Sequence, residues 1–182
     1  MSHIAIISGT NRPGSNTSKI AAHLDAIYRA IGHPTVMIDL AALPPEIFAP
    51  TSYAEKPAAF APFSEAVLAS AGLHIVTPEY NGSFPGVLKY FIDMLKFPES
   101  FEARPVCFTG LSAGIWGALR STEQLSAIFA YRNAYIYPER VFMPQINQHL
   151  DAEGKLGNEE LLARLRSQAQ GFVKFTSAFA KV

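Results

Sequence analysis

Short apolar runs alternate along the chain with stretches whose apolar residues recur at helical spacing, the pattern of strands and helices in turn. Residues 3–7 form an isoleucine-rich run short enough for a buried strand. Ile20, Leu24, Ile27 and Ile31 then predict a helix over 20–31, closed by Gly32. A second strand is predicted over 35–40, with Asp39 near its end. Phe63, Val67 and Leu68 mark a helix over 63–70, and 73–77 (LHIVT) is a third strand. Val87, Leu88, Phe91, Met94 and Leu95 share the buried face of the helix after Pro85. Residues 105–111 read as a fourth strand, with Cys107 a small buried apolar residue in its middle. Leu119, Leu125, Ile128 and Phe129 define the following helix. A short fifth strand is expected within 134–143, broken by Pro138 and Glu139. Leu161, Leu165, Ala169, Phe172 and Phe179 predict a closing helix over 159–179, whose face Val173 and Phe175 widen, as more core or as a patch for a second subunit. This alternation is an α/β pattern, and a doubly wound parallel sheet in the order 2-1-3-4-5 accommodates it in one domain, 1–182. One segment departs from it. Residues 41–62 carry five prolines and no sustained period, as expected for a long functional loop. Its Ile47, Phe48 and Tyr53 would either wall a ligand pocket or pack on a neighbouring subunit.

The loop after the first strand, SGTNRPGSNTS over 8–18, is dense in hydroxyls and leads into a helix. Amides of a first helical turn lack intrahelical acceptors and attract anions, and Gly9 and Gly14 let the backbone approach a ligand. Thr10, Ser15, Asn16, Thr17 and Ser18 add polar side chains, and Arg12 adds a fork suited to a dianion. Gly9 and Gly14 have the spacing of a nucleotide triphosphatase loop, but Ser15 and Asn16 stand where that loop needs Lys and a hydroxyl residue. The dinucleotide fingerprint is matched only weakly, because Asn11 stands at its second glycine position. A pocket for a terminal phosphate, such as that of flavin mononucleotide (FMN), remains, alongside an ordinary capped loop. Asp39 reads as a turn cap rather than a ribose ligand.

The third strand runs into PEYNGSFPG, a polar turn with Asn81-Gly82 at its apex. In the order 2-1-3-4-5 the ends of strands one and three flank the switch point, so both loops meet at one crevice. Tyr80 would stack on a flat ligand there or pack on the helix behind, and Glu79 is a capping or subunit-contact residue. The loop 112–117 (SAGIWG) reaches the same crevice, with Ser112 and Gly114 as candidate ring contacts and Trp116 as a bulky neighbour.

Composition narrows the chemistry. Fifteen Lys plus Arg balance fifteen Asp plus Glu, which gives no field for nucleic acid or an anionic membrane. One cysteine excludes an internal disulfide, and the five histidines have no metal-ligand spacing. No apolar run approaches a membrane span, and no signal-peptide layout precedes the first strand, so the cytoplasm is the expected compartment. No G-x-S-x-G elbow or Ser-His-acid set supports hydrolysis. Arg12 and Arg120 are cations available to a cofactor phosphate, without a spacing that assigns a 2′-phosphate site.

GTNRPGSN at 9–16 together with TPEYNGSFPGVLKYFIDML at 77–95 resembles the NAD(P)H-dependent FMN reductases, a flavodoxin-like family that includes quinone, azo-dye and chromate reductases. DAEGKL at 151–156 is similar to the family's turn before its last helix. The resemblance implies that Thr10, Arg12, Ser15, Asn16 and Thr17 hold the FMN phosphate, and that Pro78, Glu79, Tyr80 and Asn81 line the ring and ribityl chain. It also places the loop of Ser112 and Gly114 near the ring. NADPH or NADH would donate a hydride to FMN, and a flavin, quinone, azo or nitro compound or metal oxyanion would then take the electrons, in a ping-pong cycle. The flavin carries the chemistry and no catalytic side chain is needed. A homodimer or homotetramer is implied. The alternatives are a flavodoxin-type electron carrier without nicotinamide activity, and a sensor or interaction protein that has kept the fold and lost the cofactor.

Overall fold

The computed structural model describes residues 2–179. Strand β1 (Ile4–Ser8) is central, paired in parallel with β2 (Thr35–Asp39) on one side and β3 (Gly72–Pro78) on the other. Next comes β4 (Pro105–Leu111), giving the expected order β2-β1-β3-β4. The fifth position holds two pieces instead of one strand. β5 (Tyr135–Ile136) pairs with the start of β4 and β6 (Val141–Met143) with its end, so the sheet has six strands. The break falls at Pro138 and Glu139, where proline has no N–H for the ladder.

Alternation along each strand separates two cores. Ala5, Ile7, Leu73, Ile75 and Phe108 face α2 (Ala61–Leu68), α3 (Gly86–Met94) and α4 (Leu119–Tyr131) across an apolar layer. Ile4, Ile6, Val76 and Cys107 face α1 (Asn16–Ala30) and α5 (Glu159–Ala178). Cys107 is fully buried, as its composition suggested. Phe175 lies at the edge of this second core, against Tyr137, Phe172 and Phe179.

The second core contains a hydrogen-bonded chain with no counterpart in the apolar pattern. Gln168 donates through Nε2 to the carbonyls of Phe108 and Glu139, which leaves its Oε1 to accept from Thr109 at 2.7 Å. Thr109 must then accept from His74 Nε2 at 2.8 Å, and His74 Nδ1 accepts from the Tyr28 hydroxyl at 2.7 Å. This order of donors requires a neutral imidazole. Burial pushes the His74 pKa down to about 3, in agreement with it.

α1 starts at Asn16, four residues before the apolar period begins, because Ser15 caps it by accepting from the Ser18 amide. Asp39 accepts from the Ala41 amide and opens the first of four short 3-10 turns, so it is a turn cap as read. These turns, Leu40–Ala42, Pro45–Phe48, Pro50–Tyr53 and Ala58–Phe60, give the proline-rich segment a folded course. It is strapped to α3: Ile47 enters the core, and the Tyr90 hydroxyl donates to the Ile47 carbonyl at 2.8 Å. Exposed Phe48 and Tyr53 lie against the Tyr90 ring, at 4.9 and 6.0 Å between centroids. Among the described residues no helix is long and apolar enough to cross a membrane.

Candidate cofactor cleft

The carboxyl ends of β1, β3 and β4 open into a cleft of about 430 Å³. Its wall comes from four places: residues 12–17, 78–80, 111–113 and 146–147. The two loops read from sequence therefore converge at the switch point, where open α/β sheets bind ligands.

The first loop leaves β1 at Gly9, whose amide donates to the Val76 carbonyl of β3 at 2.8 Å. A side chain has no room there, since a Cβ on Gly9 would lie 2.7 Å from that oxygen and 3.0 Å from Leu88. Gly14 then turns the chain with φ of 64°, a left-handed conformation that glycine adopts at little cost. Beyond it, Ser15, Asn16 and Thr17 line the cleft at the start of α1. The amides of Asn16 and Thr17 have no acceptor among the described residues, as the first turn of a helix requires. Arg12 is exposed on the same wall.

Thr10 sits differently from its neighbours. It is buried, outside the wall, and its hydroxyl is 3.1 Å from the Tyr80 hydroxyl. Tyr80 lines the cleft, so this bond ties the second loop to the first. In the second loop Asn81 and Gly82 have φ of 53° and 75°, the tight apex expected of Asn-Gly, and Tyr80 and Ser83 bridge across it. Pro78 and Glu79 line the cleft, while Asn81 lies outside its wall. Glu79 is an ion-pair residue: its Oε1 is 3.1 Å from Arg120 Nη1. Its other oxygen, Oε2, is buried without a partner among the described residues.

Ser112 lines the cleft, donates to the Gly114 carbonyl and accepts from the Gly117 amide, which shapes the third loop. Ala113 rather than Gly114 reaches the wall. Trp116 is exposed, with the Arg120 guanidinium 5.2 Å from its ring centroid. Ile146 and Asn147 are wall residues that sequence reasoning missed. Asn147 accepts from the Asn16 side chain at 2.7 Å, across 131 positions. Its only signal was a polar residue after the last strand. Ile47, Phe48 and Tyr53 of the proline-rich strap are not among the cleft residues.

The donor set suits FMN. Unpartnered helix amides and Arg12 would meet a phosphate at one end, and Pro78, Tyr80, Leu111 and Ile146 would offer apolar surface to a flat ring. The parallel sheet in this order, with a cleft at its switch point, defines a flavodoxin-like protein. The chain belongs to the NADPH-dependent FMN reductase family, whose pattern matches residues 2–148. It is thus an oxidoreductase whose cofactors are FMN and a reduced nicotinamide. An NAD(P)H-dependent FMN reductase of Pseudomonas aeruginosa is 30% identical over 175 residues, spanning 90% of this chain and 89% of that one. A quinone reductase of Escherichia coli K12 is 28% identical over 178 residues, 94% of each chain. In fold, a flavoenzyme NAD(P)H:(acceptor) oxidoreductase from Paracoccus denitrificans matches with a TM-score of 0.80 at 20% identity, over 98% of this chain and 99% of that one.

Proposed function

We propose that this protein is a cytoplasmic FMN-dependent reductase that takes electrons from NADPH or NADH and delivers them to small acceptors, quinones foremost. The observation that carries the reading is the convergence of the unpartnered first-turn amides, Arg12 and the Tyr80 loop on one cleft at the switch point. Bound FMN supplies the chemistry, accepting a hydride from the nicotinamide and passing two electrons to a quinone, flavin, azo or nitro compound or metal oxyanion. Arg12, Ser15, Asn16 and Thr17 bind its phosphate. Thr10 supports them from beneath by holding Tyr80. Pro78, Glu79, Tyr80 and Asn81 form one side of the ring site, and Ser112 and Gly114 shape the loop on another. Donor and acceptor use a single open cleft in turn, which favours ping-pong kinetics. Exposed Ile115, Trp116 and Leu119 beside the cleft favour a homodimer or homotetramer, checked by light scattering. The quinone reductase of Escherichia coli K12, similar along nearly the whole chain, supports the choice of acceptor.

The test is an FMN titration of the apo-protein, followed by anaerobic addition of NADH or NADPH. Tight binding with rapid bleaching of the flavin is expected. Binding without bleaching would convert the reading to an electron carrier, and absence of binding would overturn the cofactor site.

A further inference from the structure

One face of α4 grips the second loop through three side chains. Arg120 pairs with Glu79, Ser121 donates to the Pro78 carbonyl at 3.1 Å, and Gln124 bonds both the Ser83 hydroxyl and the Gly82 carbonyl. None of the three is a wall residue of the cleft. The loop they hold turns at an Asn-Gly apex that is left-handed at both positions, and the contacts from α4 fix where that turn lies against the cleft. Arg120 is also the cation within salt-bridge distance of Glu79, a carboxylate that lines the cleft with only 11% of its side chain exposed. A buried carboxylate that loses its cation becomes an uncompensated charge.

We propose that Arg120, with Ser121 and Gln124, is a positioning residue that sets both the shape and the charge of the ring side of the cleft, and so tunes the reduction potential of the bound flavin. The inference rests on FMN occupying this cleft. Two-electron reduction adds negative charge to the flavin at neutral pH. A compensated Glu79 is therefore nearly neutral toward both oxidation states, whereas a bare Glu79 carboxylate disfavours the reduced one. The direction of the effect is fixed by the sign of the charge. Loss of shape alone would weaken both states together.

The experiment measures FMN affinity and midpoint potential for the wild type, Arg120→Met, Glu79→Gln, the double variant and Arg120→Lys. Arg120→Met should favour oxidised over reduced FMN by about three- to tenfold, a potential lower by about 15–30 mV. Glu79→Gln leaves Arg120 unneutralised and should raise the potential. The double variant should return toward the wild-type value, and Arg120→Lys should keep most of it. Equal potentials in all five proteins, with FMN still bound, would overturn the inference while leaving the cofactor site intact. Parallel loss of affinity for both states in Arg120→Met, without a potential shift, would overturn the charge role. Failure of the wild type to bind FMN would instead strike the functional reading itself. Circular dichroism of each apo-protein identifies any variant that does not fold, and Glu79→Gln, which removes a charge without creating a buried one, still reads the sign.

Discussion

The two loops that make the cleft are held by different means. The β1–α1 loop takes its turn and its helix start mainly from its own residues, Gly14 turning left-handed and Ser15 capping the helix that follows, with Gly9 seated against Val76 of the neighbouring strand. The β3–α3 loop has a local Asn-Gly apex but is anchored from afar, by α4 some forty residues later and by Thr10 seventy residues earlier. Binding a phosphate needs backbone amides and one cation, which a local motif can supply. Seating a ring of donors and acceptors needs a surface fixed in three dimensions, and that draws on remote support.

The largest test acts on β3, which supports both loops. His74 is buried and neutral, with a pKa of about 3 against 6.5 when unfolded. The unfolded chain binds more protons between these values, so stability is complete above pH 6.5 and is lost as pH falls toward 3. The loss should reach about 2 kcal/mol by pH 5 and about 4 kcal/mol by pH 3, as an upper bound. Thermal melts from pH 7.5 to 4.5 should show it, and His74→Gln, which has no titrating group, should have a flatter profile from a lower starting stability. Equal slopes would remove His74 as the cause.

Gly9→Ala separates the loops next. Its Cβ meets a backbone carbonyl that has little freedom to move, so overpacking should cost about 1–3 kcal/mol and FMN affinity should fall more than tenfold. Chemical denaturation and flavin titration read the two effects. Ser15→Ala removes both a helix cap and a cleft hydroxyl; about 1 kcal/mol of stability and a several-fold loss of FMN affinity are expected. Equal FMN affinity in this variant would confine Ser15 to capping. The smallest effect belongs to Tyr80→Phe, which breaks only the bond between the loops. It should cost about 0.5–1.5 kcal/mol. If FMN affinity falls while the protein melts as before, the bond serves the cleft more than the fold.

Most of the fold was legible because it follows from periodicity. The Pro105–Leu111 strand was predicted with its observed bounds, and the broken fifth strand was foreshadowed by Pro138 and Glu139. Ser15, Asn16, Thr17, Pro78, Glu79, Tyr80 and Ser112 were named in advance, and all line the cleft. Ile146 and Asn147 were not, since a residue that enters a site from a loop 131 positions away leaves no spacing to read. The chain from Tyr28 through His74 and Thr109 to Gln168 was equally invisible. Each of its members looks like an isolated polar residue until four elements are packed together.

By itself, the sequence determined the alternation of strands and helices and the polar loop at the end of the first strand. Those features rest on backbone preferences and on the burial of regularly spaced apolar residues, both local in the chain. Only the tertiary structure decided that Thr10 turns beneath the cleft to hold Tyr80, that Arg120 reaches Glu79, and that Asn147 completes the wall. Such contacts depend on where the ends of separate strands come to lie, and hydrogen bonds and ion pairs act over distances far shorter than the chain between their partners.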